Sequence, residues 1–79
     1  MALGVDERYV GQIGTDEQHE RILELMSELG RDSLRHTVAA ILDIRVSKLV
    51  DRRGRPRDLT SRDAARVIEV LEARLDEEG

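Results

Sequence analysis

The sequence predicts a small all-α domain of three helices with a basic loop before the last helix. The chain has 79 residues, which is enough for one domain at most. Two segments repeat apolar residues at helical spacing behind capping signals. Glycine and proline interrupt regular structure between these segments. The domain has four helices instead of three if the ambiguous segment 44–50 is helical.

The composition predicts a small aliphatic core. The chain has no Cys, no Trp, no Phe and one Tyr, so Leu, Ile, Val, Ala and two Met must fill the interior. Because no disulfide or thiolate metal site stabilises such a core, we expect a homodimer or another protein partner to add burial. The first residues show no basic stretch followed by an apolar run, so we expect no leader peptide, and the chain contains no stretch of about 20 apolar residues. We therefore expect a cytoplasmic protein with no membrane partner.

The first helix is predicted to begin after Thr15. Thr15 and Gln18 have the spacing of a capping box, and the acidic residues between them complement the helix dipole. Gly30 supplies the C-terminal stop. The apolar stripe between these two ends consists of Ile22, Leu25, Met26 and Leu29. Residues 1–12 show no sustained period and are predicted to form a flexible arm, with Tyr9 and Val10 docking on the core, so the helical domain spans 13–79.

The middle of the chain is less regular. A second helix is predicted to start at Asp32 or Ser33 and to end near Asp43, with an apolar face formed by Leu34, Val38, Ile41 and Leu42. The segment 44–50 fits either a short strand or a short helix. Residues 34–50 also fit a helix-turn-helix with Asp43 at the turn, where Gly is usual, but a plain helical hairpin explains the same pattern and is favoured.

The last helix is predicted to begin after Thr60. Thr60 is the cap, Asp63 stands three residues further in an acidic variant of the capping box, and Leu59 precedes the cap. The buried stripe consists of Ala64, Val67, Ile68, Leu71 and Leu75. Helical spacing therefore continues almost to the end of the chain.

The chain lacks a recognisable catalytic or metal-binding constellation. His19 and His36 are the only histidines, and no motif places a hydroxyl nucleophile beside either of them. Glu20 and Glu24 lie near His19, and Asp32 lies near His36, but zinc sites normally gather three or four ligands. We predict a non-enzymatic protein without catalytic residues, cofactor or metal, whose histidines lie on solvated helix faces.

The charges are segregated along the chain. The formal net charge is −4, yet the segment from Arg45 to Arg62 contains seven basic and two acidic residues, a local charge of +5. One basic patch therefore lies on an otherwise acidic body. Because a negative net charge argues against general polyanion binding, any nucleic-acid contact is expected at this patch.

The sequence Arg53-Gly54-Arg55-Pro56 resembles the core of an AT-hook, a short extended element that enters the minor groove of A/T-rich DNA. Pro56 is expected to hold Arg55 extended, Gly54 to allow close approach to the groove floor, and the arginines to enter the negative groove. Asp51 and Asp58 depart from the AT-hook pattern, because further basic residues are usual there. The predicted DNA-binding residues are Arg52, Arg53, Gly54, Arg55, Pro56 and Arg57, with phosphate contacts from Arg45, Lys48 and Arg62.

A longer resemblance covers about residues 13–75. The order Ile-Gly-Thr-Asp-Glu-Gln-His at 13–19, Leu-Gly at 29–30, Asp-Leu-Thr at 58–60 and Ala-Ala-Arg-Val-Ile-Glu-Val-Leu at 64–71 resembles small helical modules of phages and actinobacteria. Such modules occur in GemA-type regulatory proteins and at the C-terminal end of recombination and single-strand-annealing proteins. The resemblance implies a phage or mobile-element setting and DNA transactions.

Two functions are compatible with these patterns. The first is a DNA-associated accessory or regulatory protein that contacts DNA through the arginine-rich loop. The alternative is a protein-interaction module that binds a host or recombination-complex partner through an apolar helical face.

Overall fold

The structure is a computed structural model that describes residues 10–31 and 33–78. It contains α1 (Asp16–Glu28), α2 (Leu34–Leu42), a short 3-10 helix (Val46–Leu49) and α3 (Ser61–Glu78). Pairing of extended backbone within the described residues is limited to two isolated β-bridges. The predicted all-α, three-helix fold is thereby confirmed. In the same part of the chain, no helix combines the length and apolarity needed to span a membrane.

Helix α1 begins and ends as predicted. Thr15 Oγ1 accepts a hydrogen bond from Gln18 N at 3.1 Å, and Gln18 Oε1 accepts one from Thr15 N at 2.9 Å, which completes the capping box. At the other end, Arg31 N donates to Met26 O at 2.9 Å across Gly30, whose φ is 70°. This bond is typical of a Schellman motif and explains why the helix stops here.

Helix α2 ends at Leu42 with Asp43 as its C-cap, which agrees with the predicted end near Asp43. Asp43 adopts the left-handed conformation (φ 57°, ψ 46°), and its N–H points to the carbonyls of Ala39 and Ala40. At the start of the helix, Ser33 makes no capping bond, and its hydroxyl instead shares a hydrogen bond with Nδ1 of His36. The alternative start at Asp32 lies outside the described residues.

The segment 44–50, whose conformation the sequence left open, forms a single 3-10 turn followed by extended Val50. The helix-turn-helix hypothesis for residues 34–50 is therefore wrong. Its second helix is only four residues long and of the 3-10 type, so it is too short to serve as a recognition helix. Leu49 anchors this turn, because its side chain is only 1% exposed.

Helix α3 is capped by Thr60, as predicted. Thr60 Oγ1 accepts from Asp63 N at 3.1 Å, and Thr60 O accepts from Ala64 N at 3.0 Å. Its apolar stripe packs against α1 and α2 in an aliphatic core. The fully buried large side chains are Ile13, Ile22, Leu25, Met26, Leu34, Val38, Leu49, Val67 and Leu71.

The two long helices start side by side. Ile13 and Leu59 form a parallel β-bridge, in which Gly14 N donates to Leu59 O at 3.0 Å and Leu59 N donates to Gln12 O at 2.7 Å. The paired segments lie immediately ahead of Thr15 and Thr60, so α1 and α3 leave the bridge in register. The caps of both helices are consequently part of one structural unit.

Further along this pair, Arg21 of α1 links the helices on their exposed side. Its Nη1 lies 2.6 Å from Glu24 Oε1, and its Nη2 lies 3.1 Å from Glu72 Oε2 of α3. These hydrogen bonds to Glu24 and Glu72 raise the pKa of the guanidinium. Because all three side chains are solvent-accessible, the network contributes little to stability.

The predicted N-terminal arm partly belongs to the packed domain. Val10 is 5% exposed and lies in the core, and Gln12 N donates to Asp58 Oδ1 at 3.0 Å. Tyr9 and the remainder of the predicted arm lie outside the described residues.

Candidate nucleic-acid interface

Residues 51–57, the basic turn, fold back on themselves between the 3-10 helix and α3. Val50 and Pro56 form an antiparallel β-bridge, and Arg57 N donates to Leu49 O at 2.8 Å. One residue closer to the tip of the turn than the bridge, Asp51 N donates to Arg55 O at 2.8 Å. Since Leu49 is buried, the base of the basic turn is fixed to the core.

Asp51 organises the tip of the basic turn. Its carboxylate Oδ1 accepts hydrogen bonds from Arg53 N at 2.8 Å and from Arg55 N at 2.9 Å. Its carbonyl accepts a third bond, from Gly54 N at 3.0 Å. A side-chain oxygen that accepts from the following backbone in this way is the means by which Asp stabilises turns. The sequence indicated only that Asp51 is an acidic departure from the AT-hook pattern, and missed this role.

The conformation of Arg53-Gly54-Arg55 differs from the extended element that the sequence predicted. Gly54 has a φ of 79°, which lies in the left-handed region and reverses the chain direction. Pro56 lies in the bridge with Val50 rather than at the end of an extended hook. Opening the basic turn would break several hydrogen bonds, each with a net contribution of about 1 kcal/mol. The closed turn is therefore the conformation to consider in any contact with DNA.

The guanidinium groups of the basic turn face solvent. Arg52, Arg53, Arg55 and Arg57 are all exposed. None of the four side chains makes a hydrogen bond or ion pair with any residue that the structure describes. The acidic body thus leaves these cations available for an external anion.

A shallow hollow of about 480 Å³ adjoins the basic turn. Its lining consists of Ser47, Lys48, Val50, Asp51, Arg52 and Arg57. The 3-10 helix therefore contributes Lys48 to the same surface as two of the arginines. Lys48 was predicted to add phosphate contacts, and the fold brings it next to the loop as that prediction requires.

The other two predicted phosphate contacts lie at element ends. Arg45 precedes the 3-10 helix, where its carbonyl accepts from Lys48 N at 2.8 Å, and Arg62 lies in the first turn of α3. Both are exposed, and neither lines the hollow beside the basic turn. Of the predicted set, Lys48, Arg52 and Arg57 line that hollow, and Arg53 and Arg55 lie at the tip of the same turn.

The two histidines have local hydrogen-bond partners. His19 Nδ1 accepts from Ile13 N at 3.1 Å, and His19 also lines a second hollow with Gln12, Asp16, Glu20 and Leu23. His36 pairs with Ser33. Across residues 10–31 and 33–78, no three His, Cys, Asp or Glu side chains are grouped closely enough to hold a metal ion. The prediction of a merely solvated helix face therefore missed the link from His19 to the backbone ahead of α1.

Among the described residues, Ile44 is the one exposed large apolar residue, with 37% of its surface accessible, and several others, including Ile41, Leu42 and Val46, are partly buried against the core. The basic turn is the more distinctive surface.

Comparisons of the chain with models of protein families, with curated proteins and with solved structures found no match.

Proposed function

We propose that this chain is a non-enzymatic, DNA-associated accessory or regulatory protein that contacts DNA through the basic turn. The observation that supports this most directly is the set of four exposed arginines on one hydrogen-bonded turn, none with a side-chain partner among the described residues. Guanidinium groups donate bidentately to phosphate oxygens. Because the backbone of the turn is already ordered, binding need not order it.

The charge distribution supports contact at this surface rather than elsewhere. Both long helices carry more acidic than basic residues. Their surfaces repel a polyanion, so the summed field of the molecule orients DNA toward the basic turn. Lys48, at the edge of the neighbouring hollow, adds to the same local positive potential.

Binding through so few cations is expected to be weak and strongly dependent on salt. Each neutralised phosphate contributes about −0.9 to the slope of log K against log salt, so four contacts predict a slope of about −3.6. A second copy of the chain would double the contacts and raise the affinity by avidity, which is why we retain a homodimer in the proposal.

The test is a fluorescence-anisotropy titration of a labelled duplex at about 50 and about 200 mM salt. The variant Arg53→Ala with Arg55→Ala is compared with Arg31→Ala with Arg74→Ala, which removes equal charge near the C-terminal ends of α1 and α3. We expect the turn variant to bind about tenfold or more weakly, and the control to stay within about twofold of the unmodified chain. Equal losses in both variants, or no binding by the unmodified chain at low salt, would refute the proposal.

The alternative, a protein-interaction module with an apolar helical face, has less support from the described surface. Ile44 alone is exposed among the large apolar residues there, and its neighbours Ile41, Leu42 and Val46 are partly buried against the core. A pull-down that captures a protein partner tightly, combined with no shift of DNA mobility, would favour this alternative.

A further inference from the structure

We infer that the closed form of the basic turn, held by Asp51, is the form that binds, and that its ligand is the phosphate backbone of duplex DNA regardless of base sequence. This inference rests on the proposed function and specifies its ligand. It replaces insertion of an extended hook into an A/T-rich groove with contact from outside the groove.

The hydrogen bonds of the turn favour external contact. Insertion in the manner of an AT-hook needs an extended chain, which would break the bonds from Arg53 N and Arg55 N to the Asp51 carboxylate and the bond from Gly54 N to its carbonyl. Contact with backbone phosphates breaks none of these bonds, because the guanidinium groups already face solvent. The closed turn therefore binds phosphate without reorganisation.

The hollow beside the turn fits the same ligand. Lys48 comes from the 3-10 helix, whereas Arg52 and Arg57 come from the two arms of the turn, and all three border one hollow. A phosphate there is approached by cations from different elements. The hydroxyl of Ser47, which also lines the hollow, provides a neutral donor.

Duplex DNA suits this surface better than a single strand. Proteins that bind single strands commonly stack the bases on aromatic side chains. This chain has no Phe or Trp and a single Tyr, at position 9, well before the turn in sequence. Duplex DNA presents about one phosphate charge per 1.7 Å of helix axis, which is the denser target for a surface built of cations alone.

Asp51 is a positioning residue. The charge of its carboxylate and the hydrogen bonds that it accepts have opposite effects on the affinity for DNA. Its carboxylate repels phosphate, so removal of the charge should strengthen binding. Its Oδ1 also holds the N–H groups of Arg53 and Arg55, so removal of the acceptor should loosen the turn and weaken binding. Asp51→Asn removes the charge and keeps an oxygen acceptor, whereas Asp51→Ala removes both. The two variants have the same net charge, so a difference between them reports the closed turn.

The experiment measures the affinity of the unmodified chain, Asp51→Asn, Asp51→Ala and Asp43→Gly for an A/T-rich duplex, a G/C-rich duplex and the corresponding single strands. Asp43→Gly is the matched control, because it removes one carboxylate outside the turn at a backbone conformation that Gly adopts readily. Circular dichroism verifies that each variant keeps its helices.

We expect Asp51→Asn to bind duplex at least as tightly as the unmodified chain, and Asp51→Ala to bind about fivefold more weakly than Asp51→Asn. The two duplexes should bind within about twofold of each other and more tightly than the single strands. Equal affinities of Asp51→Asn and Asp51→Ala, a preference for A/T-rich duplex above about tenfold, or tighter binding of single strands would overturn the inference while leaving DNA binding intact. Failure of the unmodified chain to bind any of these DNAs would overturn the proposed function as well.

Discussion

Gln18, in the first turn of α1, holds Ser61, the first residue of α3, through two hydrogen bonds. Gln18 Nε2 donates to the Ser61 carbonyl at 3.2 Å, and Gln18 Oε1 accepts from the Ser61 hydroxyl at 2.8 Å. The same Oε1 accepts from Thr15 N in the capping box of α1. One side chain thus caps its own helix and fixes the start of a second helix 43 residues further along the chain.

Replacement of Gln18 should therefore cost more than the loss of an ordinary cap. We expect Gln18→Ala to lower the free energy of unfolding by about 1–2 kcal/mol, because it removes the capping box and both bonds to Ser61. Gln18→Glu keeps an acceptor for Thr15 N but loses the donor to the Ser61 carbonyl, so its loss should be smaller. Urea unfolding measures both, and a Gln18→Ala variant as stable as the unmodified chain would show that the helix starts are not coupled.

Gly14 lies where the helix starts meet, and its replacement should be the more damaging of two comparable glycine substitutions. Gly14 has a φ of 73°, and a Cβ built there would clash with the Gln18 side chain and lie 2.6 Å from Ala64 Cβ. Gly54 has a similar φ of 79° but open space around it. We expect Gly14→Ala to lower the free energy of unfolding by about 2–4 kcal/mol and Gly54→Ala to lower it by about 1 kcal/mol. Equal melting temperatures for the two variants would contradict the close packing at Gly14.

Asp43 is a non-glycine residue in a left-handed conformation at the end of α2. Because Gly adopts this conformation without strain, Asp43→Gly should raise the free energy of unfolding by about 0.5 kcal/mol, after the larger backbone entropy of Gly in the unfolded chain is counted. Asp43→Val should lower it by about 1 kcal/mol, since a β-branched residue is strained there. Thermal unfolding of the two variants in parallel is the measurement, and the reverse order would be inconsistent with the described end of α2.

His19 is expected to be structural. Its Nδ1 accepts from Ile13 N, and Ile13 belongs to the bridge that aligns α1 with α3. His19→Ala should therefore cost about 1–2 kcal/mol in unfolding free energy, because it leaves a partly buried N–H without an acceptor. The control is His36→Ala, which removes only an exposed contact with Ser33 and should cost less than about 0.5 kcal/mol. Similar losses in the two variants would argue against the role assigned to His19.

The helix starts were predictable because their signals are local. Thr15 with Gln18, and Thr60 with Asp63, are three residues apart, and each pair makes its bond within one helical turn. The segment 44–50 was not predictable, because a run this short satisfies both the strand and the helix periods. The pairing of Gln12 and Ile13 with Leu59 was beyond prediction, since it joins segments more than 40 residues apart and has no local signal.

The candidate site was predicted in composition but not in conformation. The AT-hook resemblance and the local charge identify the arginines, and the local charge identifies Lys48. The fold places Lys48, Arg52 and Arg57 around one hollow. The closed turn is missed at the sequence level because only the negative charge of Asp51 is considered there. The hydrogen bonds that the carboxylate can accept from the N–H groups that follow it are not considered. Asp51 followed three residues later by Gly54 is a turn signal, and together with Pro56 it indicates a closed turn in this segment.

Contact between the basic turn and DNA can be observed at individual residues by nuclear magnetic resonance. A titration of the isotope-labelled chain with a short duplex at low salt maps the contact residue by residue. If the basic turn contacts DNA, the largest shifts occur at the amide and Nε resonances of Arg52, Arg53, Arg55 and Arg57 and at Lys48, with small changes along the acidic faces of α1 and α3. Shifts confined to those helices, or no shift at any residue, would contradict this contact.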